Sequence, residues 1–133
     1  MTPKEEIHST IKQFFHAMDT QNLPLMQQLI PHNAYTTHIG TDHDEIWKGW
    51  PILHEATKVQ FQNLEYYKAT IRDLSITLAP SKRVGWYFHL LDAEIKSTEN
   101  LTTFEGARFT GVVQKENSHW VLAQTHISLP ENQ

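Results

Sequence analysis

A chain of 133 residues and 15.5 kDa has enough apolar residues for one core and too few for two. Its 11 Lys+Arg and 15 Asp+Glu, giving −4 at pH 7 with the nine His neutral, form no basic stripe, so nucleic acid is not an expected partner. The absence of Cys removes disulfides, thiolate nucleophiles and Cys-based zinc sites and is compatible with a reducing cytoplasm. The N-terminus lacks a basic segment followed by an apolar one, and no apolar run reaches the roughly 20 residues of a membrane span. A soluble, cytoplasmic protein with no membrane partner is expected.

In chain order, Ile7, Ile11, Phe14, Phe15 and Met18 recur at helical spacing, which predicts a helix over about 3–20 with Pro3 in its first turn. Asn22-Leu-Pro24 restarts a short helix through Leu25, Leu29 and Ile30, ending near Pro31. Residues 34–39 read as a short strand. The turn 40–45 follows, with Asp42 expected to cap the next turn and Glu45 to reach back as the third residue of a capping box. Pro51 opens a third helix through Leu53, Ala56 and Val59, ending near Asn63. Beyond it the pattern alternates: 69–78, 83–95, 101–115 and 119–129 are strand candidates joined by short turns, which makes neighbours antiparallel. Helices first and a meander of strands after them predict an α+β fold, with three helices on one face of a curved, mainly antiparallel sheet.

The strands carry polar groups where core is expected. Strict alternation puts Trp120, Leu122, Gln124, His126 and Ser128 on one face of the last strand, and Val121, Ala123, Thr125 and Ile127 on the other. Counting across the turns sets His89 opposite Arg108 and Arg108 opposite His126. An Arg flanked by two His suits a carboxylate or phosphate, because guanidinium offers a fork of donors. The same row would serve equally well in a contact between subunits, with Arg108 on Asp92 or Glu105. Trp86, Phe88 and Leu90 alternate with Tyr87, His89 and Leu91, so this strand is apolar on both faces. With all helices on one side, the other face predicts a homodimer through the sheet. His32, His38, His43, Asp42 and Asp44 lack metal-ligand spacing, and no cofactor motif occurs, so neither a metal nor a cofactor is expected.

Two helices, then His38-Ile-Gly-Thr-Asp-His-Asp-Glu-Ile-Trp-Lys-Gly49, a third helix, Gly85-Trp-Tyr-Phe with Asp92 after it, Arg108-Phe-Thr-Gly-Val and Trp120 followed by His126-Ile-Ser128 resemble a SnoaL-like domain of the nuclear transport factor 2-like superfamily. The resemblance spans nearly the whole chain as one domain. It implies a cone-shaped fold with a small-molecule cavity between helices and concave sheet, and usually a dimer through the convex face. It implies no single activity, since isomerases, cyclases, dehydratases, hydrolases and non-catalytic binding modules share the fold. Laid on the ketosteroid isomerases, His38 falls where the general base stands and Phe14 where the oxyanion-binding Tyr stands. The candidate catalytic residues are therefore His38 and His126, and the candidate ligand contacts are His89, Arg108, Trp47, Trp50, Tyr87 and Phe15. The expected function is binding of a small apolar or anionic compound, as an isomerase, lyase or hydrolase. The competing reading is a non-catalytic ligand-sensing or oligomerisation module.

Overall fold

The computed structural model describes residues 1–131. Helix α1, Pro3–Thr20, starts with a full capping box: Glu5 N–H donates to Thr2 Oγ1 and Thr2 N–H to Glu5 Oε1. Its buried stripe is Ile7, Ile11, Phe14, Phe15 and Met18, as the spacing predicts. Helix α2, Leu23–Leu29, is capped by Asn22, whose Oδ1 accepts from Leu25 N–H. Strand β1 covers only Thr37–Ile39. The Asn33 side-chain Oδ1 accepts from the N–H groups of Tyr35 and Thr36 and draws them into a turn, which keeps 34–36 out of the expected strand.

Strand β2, Ile46–Lys48, is absent from the sequence reading, which assigns no element between the turn 40–45 and the third helix. It pairs antiparallel with β1, setting Trp47 beside His38. Helix α3 is Trp50–Asn63 and passes directly into β3, Leu64–Leu78. Strands β4, Val84–Ser97, β5, Leu101–Glu116, and β6, His119–Ser128, complete the meander. The sheet order is β2-β1-β6-β5-β4-β3, and β1 with β6 is its parallel pair. Three helices thus cover one side of a six-stranded, curved, unclosed and mainly antiparallel sheet.

Two bulges govern which side chains face the helices. One lies between Leu91 and Ala93, where Gly106, at φ 69, gives its N–H to Asp92 Oδ1 at 2.9 Å. The Arg72 guanidinium and this N–H hold the Asp92 carboxyl well below the usual carboxylate range. The other bulge lies between Val112 and Val113, opposite Ala123. An extra residue reverses which parity points inward. Trp120 and Leu122 consequently face the helices, as do Thr125 and Ile127, while Gln124 and His126 point outward. The strict alternation expected along β6 is therefore corrected.

Candidate functional site

The helices and the inner sheet face leave a cavity of about 150 Å³. Phe14 and Met18 of α1, Met26 of α2 and Leu53 of α3 make its apolar roof, and Phe109 and Ile127 its floor. His38, Thr125, Tyr67, Thr57, Gln60 and Glu45 supply the polar groups. Trp47 closes one side from β2.

His38 is 6% exposed, and its Nε2 lies 3.3 Å from the Leu122 carbonyl. A carbonyl only accepts, so Nε2 carries the proton and Nδ1 keeps its lone pair. Burial pushes the imidazolium down to about 4, against a smaller opposing effect of that hydrogen bond. The ring is neutral at pH 7. Phe14 sits 6.2 Å away, centroid to centroid, so the two positions the resemblance pairs do meet in the cavity.

Tyr67 and Glu45 escape the sequence reading. Tyr67 lies in 64–68, upstream of the expected strand start at 69, and alternation carried two residues further back is the signal that would reveal it. Its hydroxyl is held protonated, first by burial and then by the negative charge of Glu45. Both side chains line the cavity. Tyr67 adds a phenol O–H donor to the cavity wall, and the cavity does not rely on Phe14 for one.

The row His89, Arg108 and His126 is not formed. In the observed register His89 faces Phe109, Arg108 lies between Leu90 and Ser128, and His126 pairs with Thr110. The first bulge displaces the β4–β5 pairing by one residue, which separates His89 from Arg108 onto opposite faces. His89 is fully buried in aromatic core, whereas Arg108 and His126 are exposed on the outer face. Arg108 Nε donates to Ser128 Oγ at 3.2 Å, and neither Asp92 nor Glu105 is its partner.

The remaining candidates divide as well. Tyr87 packs in the core over Gly111, where a Cβ would run into its ring. Phe15 meets His89 and Phe109 edge-on, lying behind the cavity lining. Trp50 stacks between His32 and His54, at 3.9 and 4.8 Å, and takes no part in the cavity. Of the sequence-predicted residues, His38 and Trp47 line the cavity.

The family profile described as SnoaL-like domain matches residues 7–132, and the chain belongs to that family. Solved structures of similar fold include a proposed dehydratase of the nuclear transport factor 2-like family from Streptomyces avermitilis, with TM-score 0.83 at 15% identity over 97% of this chain and 99% of that one. A nuclear transport factor 2-like superfamily protein from Salmonella enterica serovar Typhimurium LT2 gives TM-score 0.82 at 18% identity, covering 96% and 91%. A proposed scytalone dehydratase from Novosphingobium aromaticivorans gives 0.78 at 8% identity, covering 93% and 81%. At these identities the likeness is one of fold. No curated protein matches the chain in sequence. No helix of the described residues is long and apolar enough to cross a membrane.

Proposed function

We propose that this protein binds a small, largely apolar molecule bearing a carbonyl or hydroxyl group in the cone cavity and moves a proton on it, as an isomerase or lyase does. The observation that carries this reading is His38, a neutral imidazole buried in the cavity wall. Its Nε2–H is committed to Leu122 and its Nδ1 is left to accept. A base of low pKa suffices for abstraction next to a carbonyl when donors stabilise the enolate oxygen. The Tyr67 phenol, which keeps its proton, is such a donor in the same wall. The cavity wall holds neither Lys nor Arg among the described residues, so nothing there favours the anionic compound that Arg108 suggested. The dehydratase description of two structural neighbours is consistent with proton-transfer chemistry in this fold.

The test is proton exchange in deuterated water, followed by NMR with a panel of small cyclic ketones and enones. The wild type should accelerate exchange next to the carbonyl. His38→Gln should lose about 100-fold or more of that rate, as expected for removal of a positioned base, and Tyr67→Phe a similar factor as a lost oxyanion donor. Unchanged rates in both variants would remove the assignment.

We also propose that a second copy covers the outer face of the sheet. Val84, Trp86 and Phe88 are 39%, 49% and 39% exposed there, side by side with Val112, and monomers rarely leave such a patch in water. Light scattering should give twice 15.5 kDa for the wild type and a monomer for Trp86→Glu. This face suits a non-catalytic assembly module equally, and a dimer that binds the panel without exchanging protons would favour that reading. Residence in a reducing cytoplasm fits the absence of Cys.

A further inference from the structure

Glu45 is the one charged side chain in the cavity wall among the described residues. Its placement is built by the loop that joins β1 to β2. Gly40 N–H donates to the Glu45 carbonyl at 2.8 Å, and Glu45 N–H donates to the Asp42 carbonyl at 3.1 Å. Asp42 N–H then donates to Glu45 Oε1 at 2.8 Å. The side chain folds so tightly over Gly40 that a Cβ there would lie 2.6 Å from Oε1 and 2.9 Å from the Glu45 Cβ. The backbone at Gly40 has no left-handed φ, so glycine is needed for room and not for conformation. Oε2 is left without a protein partner among the described residues. Residues 41–44 are exposed and Glu45 is half-buried, which sets the carboxylate where the cavity meets water.

Behind it the walls are largely apolar, with Phe14, Met26 and Phe109 among them, and carry no other charged side chain among the described residues. A volume of about 150 Å³ is the size that admits one aromatic ring in an engineered apolar cavity. A carboxylate at the rim with Oε2 open, and with no Lys or Arg beside it in the wall, attracts an ammonium or hydroxyl and repels another carboxylate.

We infer that Glu45 selects the ligand: the cavity takes a molecule of single-ring size whose outward end is an ammonium or hydroxyl donor, and it rejects carboxylates. This inference rests on the proposal that the cavity is the ligand site. It goes further by fixing the polarity of the ligand's outer end and by making Gly40 the positioning residue for Glu45.

The experiment titrates benzylamine, benzyl alcohol and benzoate at pH 7 into the full chain, read by protein chemical shifts. It uses wild type, Glu45→Gln and Gly40→Ala. Gln keeps the Oε1 acceptor for Asp42 N–H, so the loop is retained while the charge is lost. Wild type should bind benzylamine roughly tenfold or more tighter than benzoate, the size of one charge-assisted contact, with benzyl alcohol between them. Glu45→Gln should bring the benzylamine to benzoate ratio to within about threefold and still bind benzyl alcohol. Gly40→Ala, by displacing the carboxylate, should lower the ratio in the same way. Equal binding of benzylamine and benzoate by wild type, or an undiminished ratio in Glu45→Gln, would overturn the selection, and an undiminished ratio in Gly40→Ala would overturn the positioning role. If wild type binds none of the three, the cavity is not the ligand site and both proposals fall; if it binds all three equally, only the selectivity fails.

Discussion

His38 and His89 are chemically the same residue in nearly the same burial, at 6% and 0% exposure. Each ring gives one N–H to a backbone carbonyl, His38 to Leu122 and His89 to Leu90 at 3.0 Å. Burial disfavours the charged form of both. They differ in what surrounds the second nitrogen. His89 is stacked on Phe109 at 4.9 Å and on Tyr87 at 5.9 Å, with Phe15 edge-on at 5.6 Å. Its Nε2 is sealed in protein without a hydrogen-bond partner among the described residues. His38 looks onto the cavity. Access to the cavity is therefore what separates the two rings, and neither burial nor a shifted pKa alone would tell a working imidazole from a structural one.

Truncation should separate the two most strongly. His89→Ala removes a ring packed on three aromatic neighbours and is expected to cost about 3 kcal/mol of stability, in the range of large-to-small core changes. His38→Ala should cost about 1 kcal/mol, since the ring borders space that is already open. Urea midpoints of the two variants give the comparison, and equal losses would mean that His38 is as much a core residue as His89.

Acid sharpens the same contrast. Unfolded, His38 takes a proton near 6.5; folded, it does so only near 4. Between those values the unfolded chain binds more protons, so stability fully present above 6.5 is lost as the pH falls toward 4. At pH 5 the loss from His38 should be about 2 kcal/mol. His89 adds a loss of the same sign. Replacing His38 with Phe should flatten this dependence in part, leaving the share that belongs to His89. Denaturation at pH 7 and pH 5 for both proteins measures it, and a variant with the wild-type slope would place the titration elsewhere.

The helices were legible because their signals are local. Thr2, Pro3 and the apolar stripe set the start and the buried face of α1 without reference to the rest of the chain. The succession of the four long strands was legible for the same reason, since turns and alternation mark it, whereas the three-residue β2 was not. Register was not. Each bulge adds a single residue whose effect appears only when two strands are laid together, and it moved Arg108 and His126 from a candidate pocket to the outer face. His38 and its neighbour Trp47 were both found through resemblance. Tyr67 was missed because α3 runs into β3 with no turn to mark the change. Glu45 was missed because its pattern satisfied a capping box. The reach-back half of that box exists, but no helix follows it.

That half-formed box gives the smallest expected effect. The Asp42 backbone N–H donates to Glu45 Oε1, while Glu45 N–H bonds the Asp42 main-chain carbonyl and not its carboxylate. Both contacts survive replacement of the Asp42 side chain, which is exposed. Asp42→Ala should therefore change stability by less than about 0.5 kcal/mol, as for surface substitutions that touch no special feature, where a true N-cap would cost about 1 kcal/mol. Glu45→Ala, by contrast, removes the acceptor that the loop folds around, so it should loosen 40–45 and speed amide exchange at Asp42 while leaving exchange in α1 unchanged. If Asp42→Ala proved the more damaging of the two, the loop would be held by the aspartate side chain and not by Glu45.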